Sequence, residues 1–578
     1  MIKSQEIIIY SGRRWLLIIA FMAVTVLLLW RVIDLQVLRN DFLRNHGDAR
    51  SLRVVQVPAH RGAIVDRNNE PLAISTPVAS VWAEPHKVLT EKNNIAKLAA
   101  AIDMDERFLL QLLQDRVGRE FVYLKRHMTP DQARIVESLS IAGIHLQREY
   151  KRYYPAGEVT SHIIGFTNID DAGQEGLELA YDYWLRGEPG KKRVLKDRLG
   201  HIVKDVENIH SANPGQQLIL SIDRRVQYLA YRELKSAVAY HQARGGSLVM
   251  LDSVTGEIMA MVGQPSYNPN NRSGLKSDYY RNRAVTDVFE PGSTLKPFTI
   301  AAALLSGLYT PASKIETSPG YFKVNNHTIR DVRNYANINV SDTIKKSSNV
   351  AASKIALSLG PKKLWDLYSR VGFGESTSSG FPGESAGIFN SYNNWSEVEL
   401  ATISFGHGIS VTMLQLARAY SVIAAGGLLK PVSFQRVNEP VTGKRVLTAE
   451  LVQQVKDMLE TVVQTGGTGQ RAAVKGYRVA GKTGTAHKAI RGGYAEDRYM
   501  SLFAGMAPAS DPRLVMVVVI DEPQRGQHYG GQVAAPVFAK VMEGALRILD
   551  IPPDDLPSLD GQVIMAENTR QGLQGIGQ

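Results

Sequence analysis

Phe289-Glu290-Pro291-Gly292-Ser293-Thr294-Leu295-Lys296-Pro297 is the stretch that decides how this chain is read. A serine hydroxyl is a poor nucleophile until a base takes its proton. A lysine three residues further along a helix lies one turn away on the same face. The helix N-terminus adds the positive end of its dipole beside the serine. Phe298-Thr299-Ile300-Ala301-Ala302-Ala303-Leu304-Leu305 follows, with the composition of a buried helix. Pro297 fits only the first turn or so, which places Ser293 near the helix start. The same Ser-x-x-Lys spacing recurs at Ser273-Gly274-Leu275-Lys276. There it follows the turn formers Asn268-Pro269-Asn270-Asn271-Arg272, where nothing fixes the lysine against the serine.

Two further motifs give the first one its context. Lys482-Thr483-Gly484-Thr485 follows the strand-like Tyr477-Arg478-Val479-Ala480. On an edge strand it offers an ammonium and a hydroxyl to a substrate carboxylate, and Gly484 admits close approach of a backbone. Ser347-Ser348-Asn349 precedes a helical run from Val350 to Leu357. A Ser-x-Asn triplet says little alone, since Ser211, Ser266 and Ser391 also begin one. Taken in order, helix start, helix–helix loop and sheet strand, the three resemble the penicillin-binding protein and serine β-lactamase superfamily. The resemblance covers about residues 216 to 550. It implies an α/β (α+β) penicillin-binding/serine β-lactamase-like transpeptidase domain, a five-stranded antiparallel sheet with a helical subdomain and the active site between them.

The N-terminal half narrows the resemblance. Arg61-Gly62 through Asn68, Arg152 through Gly157 and Gly173 through Glu178 look like the marker segments of class B, monofunctional penicillin-binding proteins. Nothing resembles the glycosyltransferase domain of bifunctional relatives. The chain is similar to the cell-division type of peptidoglycan D,D-transpeptidase, with the elongation type as the close alternative. By that resemblance Ser293 attacks the penultimate D-alanine carbonyl of a stem peptide and Lys296 takes its proton. Ser347 and Asn349 relay the proton and orient the lysine. Lys482, Thr483, Gly484 and Thr485 bind substrate, and the backbone N–H groups of Ser293 and Thr485 form the oxyanion hole. Tyr499 and Tyr529 line an apolar wall. β-Lactams acylate Ser293 as substrate mimics, and no metal or organic cofactor is implied. Ser404-Phe405-Gly406-His407-Gly408 resembles a glycine-rich family segment; His407 departs from the aromatic usual there and carries no assigned role.

Composition sets the outer bounds. A length of 578 residues suits two or three domains, and 44% hydrophobic with 21% charged residues reads as globular. With no cysteine, disulfides and thiolate metal sites are excluded. The net charge of +11 suits an anionic partner, but no basic run interleaves aromatics, which argues against nucleic acid. Lys191-Lys192-Arg193 reads as a solvated turn. Trp15 to Trp30 carries no charge and is flanked by Arg13, Arg14 and Arg31, with further apolar positions at Val32, Ile33, Leu35, Val37 and Leu38. It reads as a single transmembrane anchor with interfacial tryptophans and no signal-peptidase site. Lys3, Arg13 and Arg14 place the N-terminus in the cytoplasm and the rest outside it; by the resemblance that means the inner membrane with the catalytic domain in the periplasm.

The expected domains are residues 1–14 (cytoplasmic), 15–38 (anchor), 39–215 (pedestal), 216–550 (transpeptidase) and 551–578 (flexible tail). Within the pedestal, a strand is expected at Leu52 to Val57 and a helix around Asn94 to Ala101. Beyond it, Asp223 caps a helix, and a hairpin follows over Ser247 to Val262. From Glu290 to about Thr465 the chain reads as mainly helical. Strands return at Gly476 to Ala486, Ser501 to Met506 and Leu514 to Asp521, and a helix closes from about Ala535 to Leu549. The expected partners are peptidoglycan stem peptides, β-lactam antibiotics, a membrane-embedded glycan-polymerising protein and other division proteins.

Three rivals share these motifs. A class A β-lactamase needs a deacylating glutamate in Glu-x-x-Leu-Asn, but Glu397-Val398-Glu399-Leu400 is followed by Ala401. A D,D-carboxypeptidase differs only in using water as acceptor. A septal scaffold with a silent catalytic domain is the non-enzymatic reading, against which all three motifs stand intact.

Overall fold

The computed structural model describes residues 11–42, 52–196, 202–490 and 493–556. Helix α1, Ser11–Ile33, is exposed along its apolar length and fits a single-pass membrane anchor. Residues 1–10 of the expected cytoplasmic segment and 557–578 of the expected tail lie outside the described residues.

Contacts divide the chain into two units that do not follow its linear order. One takes in Met1–His60, Pro77–Tyr150 and Gly187–Pro214. Its core gathers Val81, Ile95, Leu98, Leu109, Leu113 and Val122. Short capped helices supply that core: Asp105 accepts from Phe108 N, and Thr129 with Gln132 forms a capping box. Strand Leu52–Val57 pairs antiparallel with Gly190–Lys196, which pairs with Ile202–His210. Lys191-Lys192-Arg193 is therefore strand and not turn. Exposed cross-strand pairs compensate its charge, Lys192 with Asp205 (3.0 Å) and Arg193 with Glu207 (2.7 Å).

The second unit takes in Arg61–Thr76, Lys151–Arg186 and Gly215–Gln578. Helix α2, Arg224–Tyr240, starts at Asp223, whose carboxylate accepts from Arg225 N. A hairpin of β1 (Gly245–Asp252) and β2 (Ile258–Gln264) follows. The helical region holds α3 (Lys296–Leu305), α4 (Val340–Lys346), α5 (Asn349–Leu359) and α6 (Met413–Ala424). The chain returns through β3 (Ala480–Ile490), β4 (Gly493–Ala507) and β5 (Leu514–Asp521), and closes with α7, Ala535–Ile548.

The five strands form one antiparallel sheet in the order β2-β1-β5-β4-β3. Successive side chains point to opposite faces. Leu248, Met250, Met516 and Val518 pack with Ala230, Leu234 of α2 and Phe538 of α7. Val249, Leu251, Val517 and Val519 join a core that includes Phe298 and Tyr420 of the helical region. Burial on both faces explains why these strands read as unbroken apolar runs.

Two further expectations need correction. The stretch read as mainly helical is interrupted by six short strands, Lys314–Glu316, Tyr321–Val324, His327–Arg330, Asn337–Asn339, Leu428–Leu429 and Lys444–Arg445. Strands of two to four partly exposed residues leave little periodic signal. β3 runs past Ala486 to Ile490, and β4 begins at Gly493, so the two form a long hairpin whose tip is mostly solvent-exposed. Its polar residues obscured the extension.

Candidate active site

Gly292–Leu295 is a single 3-10 turn, and α3 begins at Lys296 with Pro297 in its first turn. Three residues per turn stack Ser293 directly against Lys296. Lys296 is fully buried. Its Nζ lies 2.9 Å from Ser293 Oγ, 2.6 Å from Ser347 O, 3.1 Å from Ser347 Oγ and 2.7 Å from Asn349 Oδ1. An ammonium has three donors for these four oxygens; a neutral amine has a lone pair for the serine proton. Burial, and then the nearby charge of Lys482, hold Lys296 well below the usual lysine range, with Asp331 opposing in part.

Ser347 ends α4 in the left-handed conformation, φ 61° and ψ 39°. That geometry is costly for a residue with a side chain and clusters at functional positions. Here it turns both Ser347 oxygens toward Lys296. Lys482 Nζ reaches the same hydroxyl at 2.9 Å, so both lysines meet on Ser347 Oγ. Burial brings the Lys482 ammonium down to about 7. Lys482 sits on β3, the edge strand of the sheet, beside the Thr483 carbonyl (3.1 Å) and hydroxyl (3.4 Å). Thr483 Oγ1 is also 2.8 Å from Thr468 Oγ1, and Thr485 Oγ1 accepts from Gly530 N at 3.0 Å. The open side of Gly484 is taken up by the nucleophile's own turn. A Cβ there would stand 2.9 Å from Thr294 Cγ2 and 3.1 Å from Pro291 O.

The structure thus brings Ser293, Lys296, Ser347, Asn349 and Lys482 into one hydrogen-bonded cluster, with Thr483, Gly484 and Thr485 on the adjoining strand. Tyr499 and Tyr529 are joined through His528, which stacks on Tyr499 at 4.1 Å and contacts Tyr529 at 4.5 Å. The second Ser-x-x-Lys forms no such pair: Ser273 donates its hydroxyl to Asn271 Oδ1 and stays exposed. Glu399, in the segment weighed as a β-lactamase motif, accepts from Ser396 N and Oγ in a capping box at the surface.

Two site residues carried no sequence signal. Asp331 accepts from Ser348 Oγ (2.6 Å), Asn349 N (2.6 Å) and Val350 N (3.1 Å). It clamps the Ser347-Ser348-Asn349 turn from the N-terminus of α5, where a carboxylate is favoured. Thr468 extends the hydroxyl set beside Lys482.

The chain matches the penicillin binding protein transpeptidase domain over residues 246–543 and the penicillin-binding protein dimerisation domain over residues 56–220. The peptidoglycan D,D-transpeptidase FtsI of Escherichia coli strain K12 is 46% identical over 92% of this chain and 91% of that protein. The probable peptidoglycan D,D-transpeptidase PbpC of Pseudomonas aeruginosa is 43% identical over 91% of this chain and 93% of its own. Among solved structures, the apo transpeptidase domain of penicillin-binding protein 3 from Burkholderia pseudomallei is 42% identical, with TM-score 0.54, covering 58% of this chain and 98% of that one. A peptidoglycan synthetase from Bifidobacterium adolescentis shares the fold over 88% of this chain and 98% of its own, with TM-score 0.69 at 24% identity. The chain belongs to the class B penicillin-binding proteins.

Proposed function

We propose that this protein is the cell-division transpeptidase of its organism, cross-linking peptidoglycan at the septum. The observation that carries the chemistry is Lys296 Nζ at 2.9 Å from Ser293 Oγ, fully buried and with its ammonium form disfavoured. The division role rests on the likeness to FtsI over nearly the whole chain.

In this reading the Ser293 oxygen attacks the penultimate D-alanine carbonyl as its proton passes to Lys296. The tetrahedral oxyanion is held by the backbone N–H groups of Ser293 and Thr485, each worth ~10²–10³-fold. Ser347 Oγ, between the two lysines, returns the proton to the departing D-alanine amine. Asn349 holds Lys296 and meets the substrate amide. The carboxylate of the leaving residue pairs with Lys482 and the hydroxyls of Thr483 and Thr485, while Tyr499 and Tyr529 flank the acyl chain. An amine from a neighbouring stem peptide then attacks the acyl-enzyme, releasing Ser293 and forming the cross-link. α1 anchors the protein in the inner membrane with its N-terminus in the cytoplasm and the catalytic unit in the periplasm. The partners are a membrane glycan polymerase and other division proteins.

The test is cross-linking of lipid-linked precursor by the full chain together with a glycan-polymerising partner. Cross-linked dimers and free D-alanine, both suppressed by a β-lactam, are expected. Trimmed monomers alone would mean a carboxypeptidase. A fluorescent fusion confined to the side wall would remove the division role.

Asp331 gives a sharper check on the site. Asp331→Ala leaves the Ser348 hydroxyl and two backbone N–H groups without their acceptor and lets the Ser347 turn relax. A misplacement of about 1 Å costs on the order of 10²-fold. Fluorescent-penicillin acylation is expected to slow by about that factor, with Asp331→Asn in between. Wild-type kinetics in Asp331→Ala would show that the turn holds itself.

A further inference from the structure

His407, the residue that departs from the family segment, closes a contact around Glu290, three residues before the nucleophile. One carboxylate collects three donors from two distant segments. His407 Nδ1 lies 2.9 Å from Glu290 Oε2, Gly408 N donates to Oε1 at 2.8 Å, and Tyr494 OH donates to Oε1 at 2.9 Å. Tyr494 stands near the tip of the β3–β4 hairpin, and its ring meets that of His407 edge-on at 5.8 Å. The 406–408 segment also lies directly on the nucleophile turn: Gly292 N donates to Gly406 O at 3.1 Å, and a Cβ on Gly406 would fall 2.1 Å from Gly292 O.

Packing alone does not hold this turn in place. Val288, Phe289 and Glu290 line a cavity of about 470 Å³ that also borders Ala486 and His487 of β3. The chain leading to Ser293 therefore has open space on one side. Its fixed points are the Glu290 contacts, the Gly292–Gly406 hydrogen bond and mutual backbone bonds between Phe289 and Val411.

We propose that Glu290 and His407 form a positioning latch. It ties the nucleophile turn to the β3–β4 hairpin and thereby sets the distance between Ser293 and the substrate-binding edge strand. The inference rests on Ser293 being the acylated nucleophile. His407 Nδ1 is the ring nitrogen that faces Glu290. Glu290 remains its anionic partner, held below the usual carboxylate range by His407 and Gly408 despite burial. Tyr494 remains a neutral donor, its phenol pushed up to about 12 by burial and by Glu290.

The test is fluorescent-penicillin acylation of the full chain and of its variants. His407→Phe keeps a ring but loses the donor, and Tyr494→Phe frees the hairpin. Each is expected to slow acylation by ~10-fold, within the range that small misplacements produce. His407→Asn retains a donor where Nδ1 stood and is expected to recover to within about threefold of wild type. Wild-type rates in His407→Phe, or no recovery in His407→Asn, overturn the latch. Labelling of Ser293→Ala would instead overturn the nucleophile assignment, so the two failures are separable.

Discussion

Lys296→Arg is expected to abolish penicillin acylation nearly as completely as Ser293→Ala, although it preserves a positive charge. Arginine stays protonated at any usable pH and cannot accept the serine proton. Its planar guanidinium also cannot occupy a fully buried site built around one nitrogen with four oxygens at 2.6–3.1 Å. Loss of a positioned base removes ~10²–10⁴-fold, and Ser293→Ala removes the acceptor of the acyl group altogether. The sign of the pH dependence follows from the two lysines. Both are shifted downward, Lys482 to about 7 and Lys296 well below its usual range, and Ser347 Oγ joins them. They titrate as a pair, and protonating Lys296 removes the base. Wild-type acylation should therefore fall as pH drops, while the residual rate of Lys296→Arg shows no such limb. Lys482→Ala removes one of the causes that depress Lys296, so its limb should move to higher pH. Acylation of Lys296→Arg within tenfold of wild type would rule out Lys296 as the base.

The site divides into parts that were readable from sequence and parts that were not, for a physical reason. Ser293 with Lys296, Ser347 with Asn349 and Lys482 with Thr485 are each contiguous, because a single turn or strand segment suffices to present both groups. The 3-10 geometry of Gly292–Leu295 even strengthens the pairing expected of a helix. Asp331, Thr468 and the Glu290 latch act through contacts between segments far apart in the chain, so no spacing announces them. Asp331 depends further on short strands that the composition of 290–465 concealed. The five-stranded sheet was legible at β1, β2 and β5, whose apolar runs are buried on both faces. It was truncated at the β3–β4 hairpin, where His487 and Lys488 carry the strand into solvent. The segments from Arg61, Arg152 and Gly173 were recognised by resemblance; their physical role emerges only when Arg61 and Arg152 are seen to close on Glu178.

Glu178→Ala is expected to destabilise the catalytic unit by about 3–5 kcal/mol, the loss typical when one partner of a buried ion pair is removed. Glu178 is fully buried and grips two arginines that are themselves almost fully buried. Its Oε2 lies 2.7 Å from Arg61 Nη2, and its Oε1 lies 2.6 Å from Arg152 Nε. Asp182 holds Arg61 Nη1 at 2.7 Å and Ser75 accepts from Arg152 Nη1 at 3.1 Å, so among the described residues Arg61 keeps a directly paired carboxylate while Arg152 keeps a hydroxyl, with Asp171 acting on it only through its charge. The alanine variant therefore strands a guanidinium charge away from water, which is far costlier than losing an exposed pair. Lys192–Asp205, at 3.0 Å but with both side chains open to solvent, is the internal comparison and should be worth no more than about 1 kcal/mol. Because Arg61, Arg152 and Glu178 lie in the same compact unit as Ser293, heat loss of penicillin labelling by the detergent-solubilised chain reports on this cluster directly. Glu178→Ala should lose labelling at a temperature lower by several degrees, and Asp205→Ala at that of wild type. Equal heat resistance in both variants would show that the arginines find other partners, and that these marker residues serve something other than the stability of the catalytic unit.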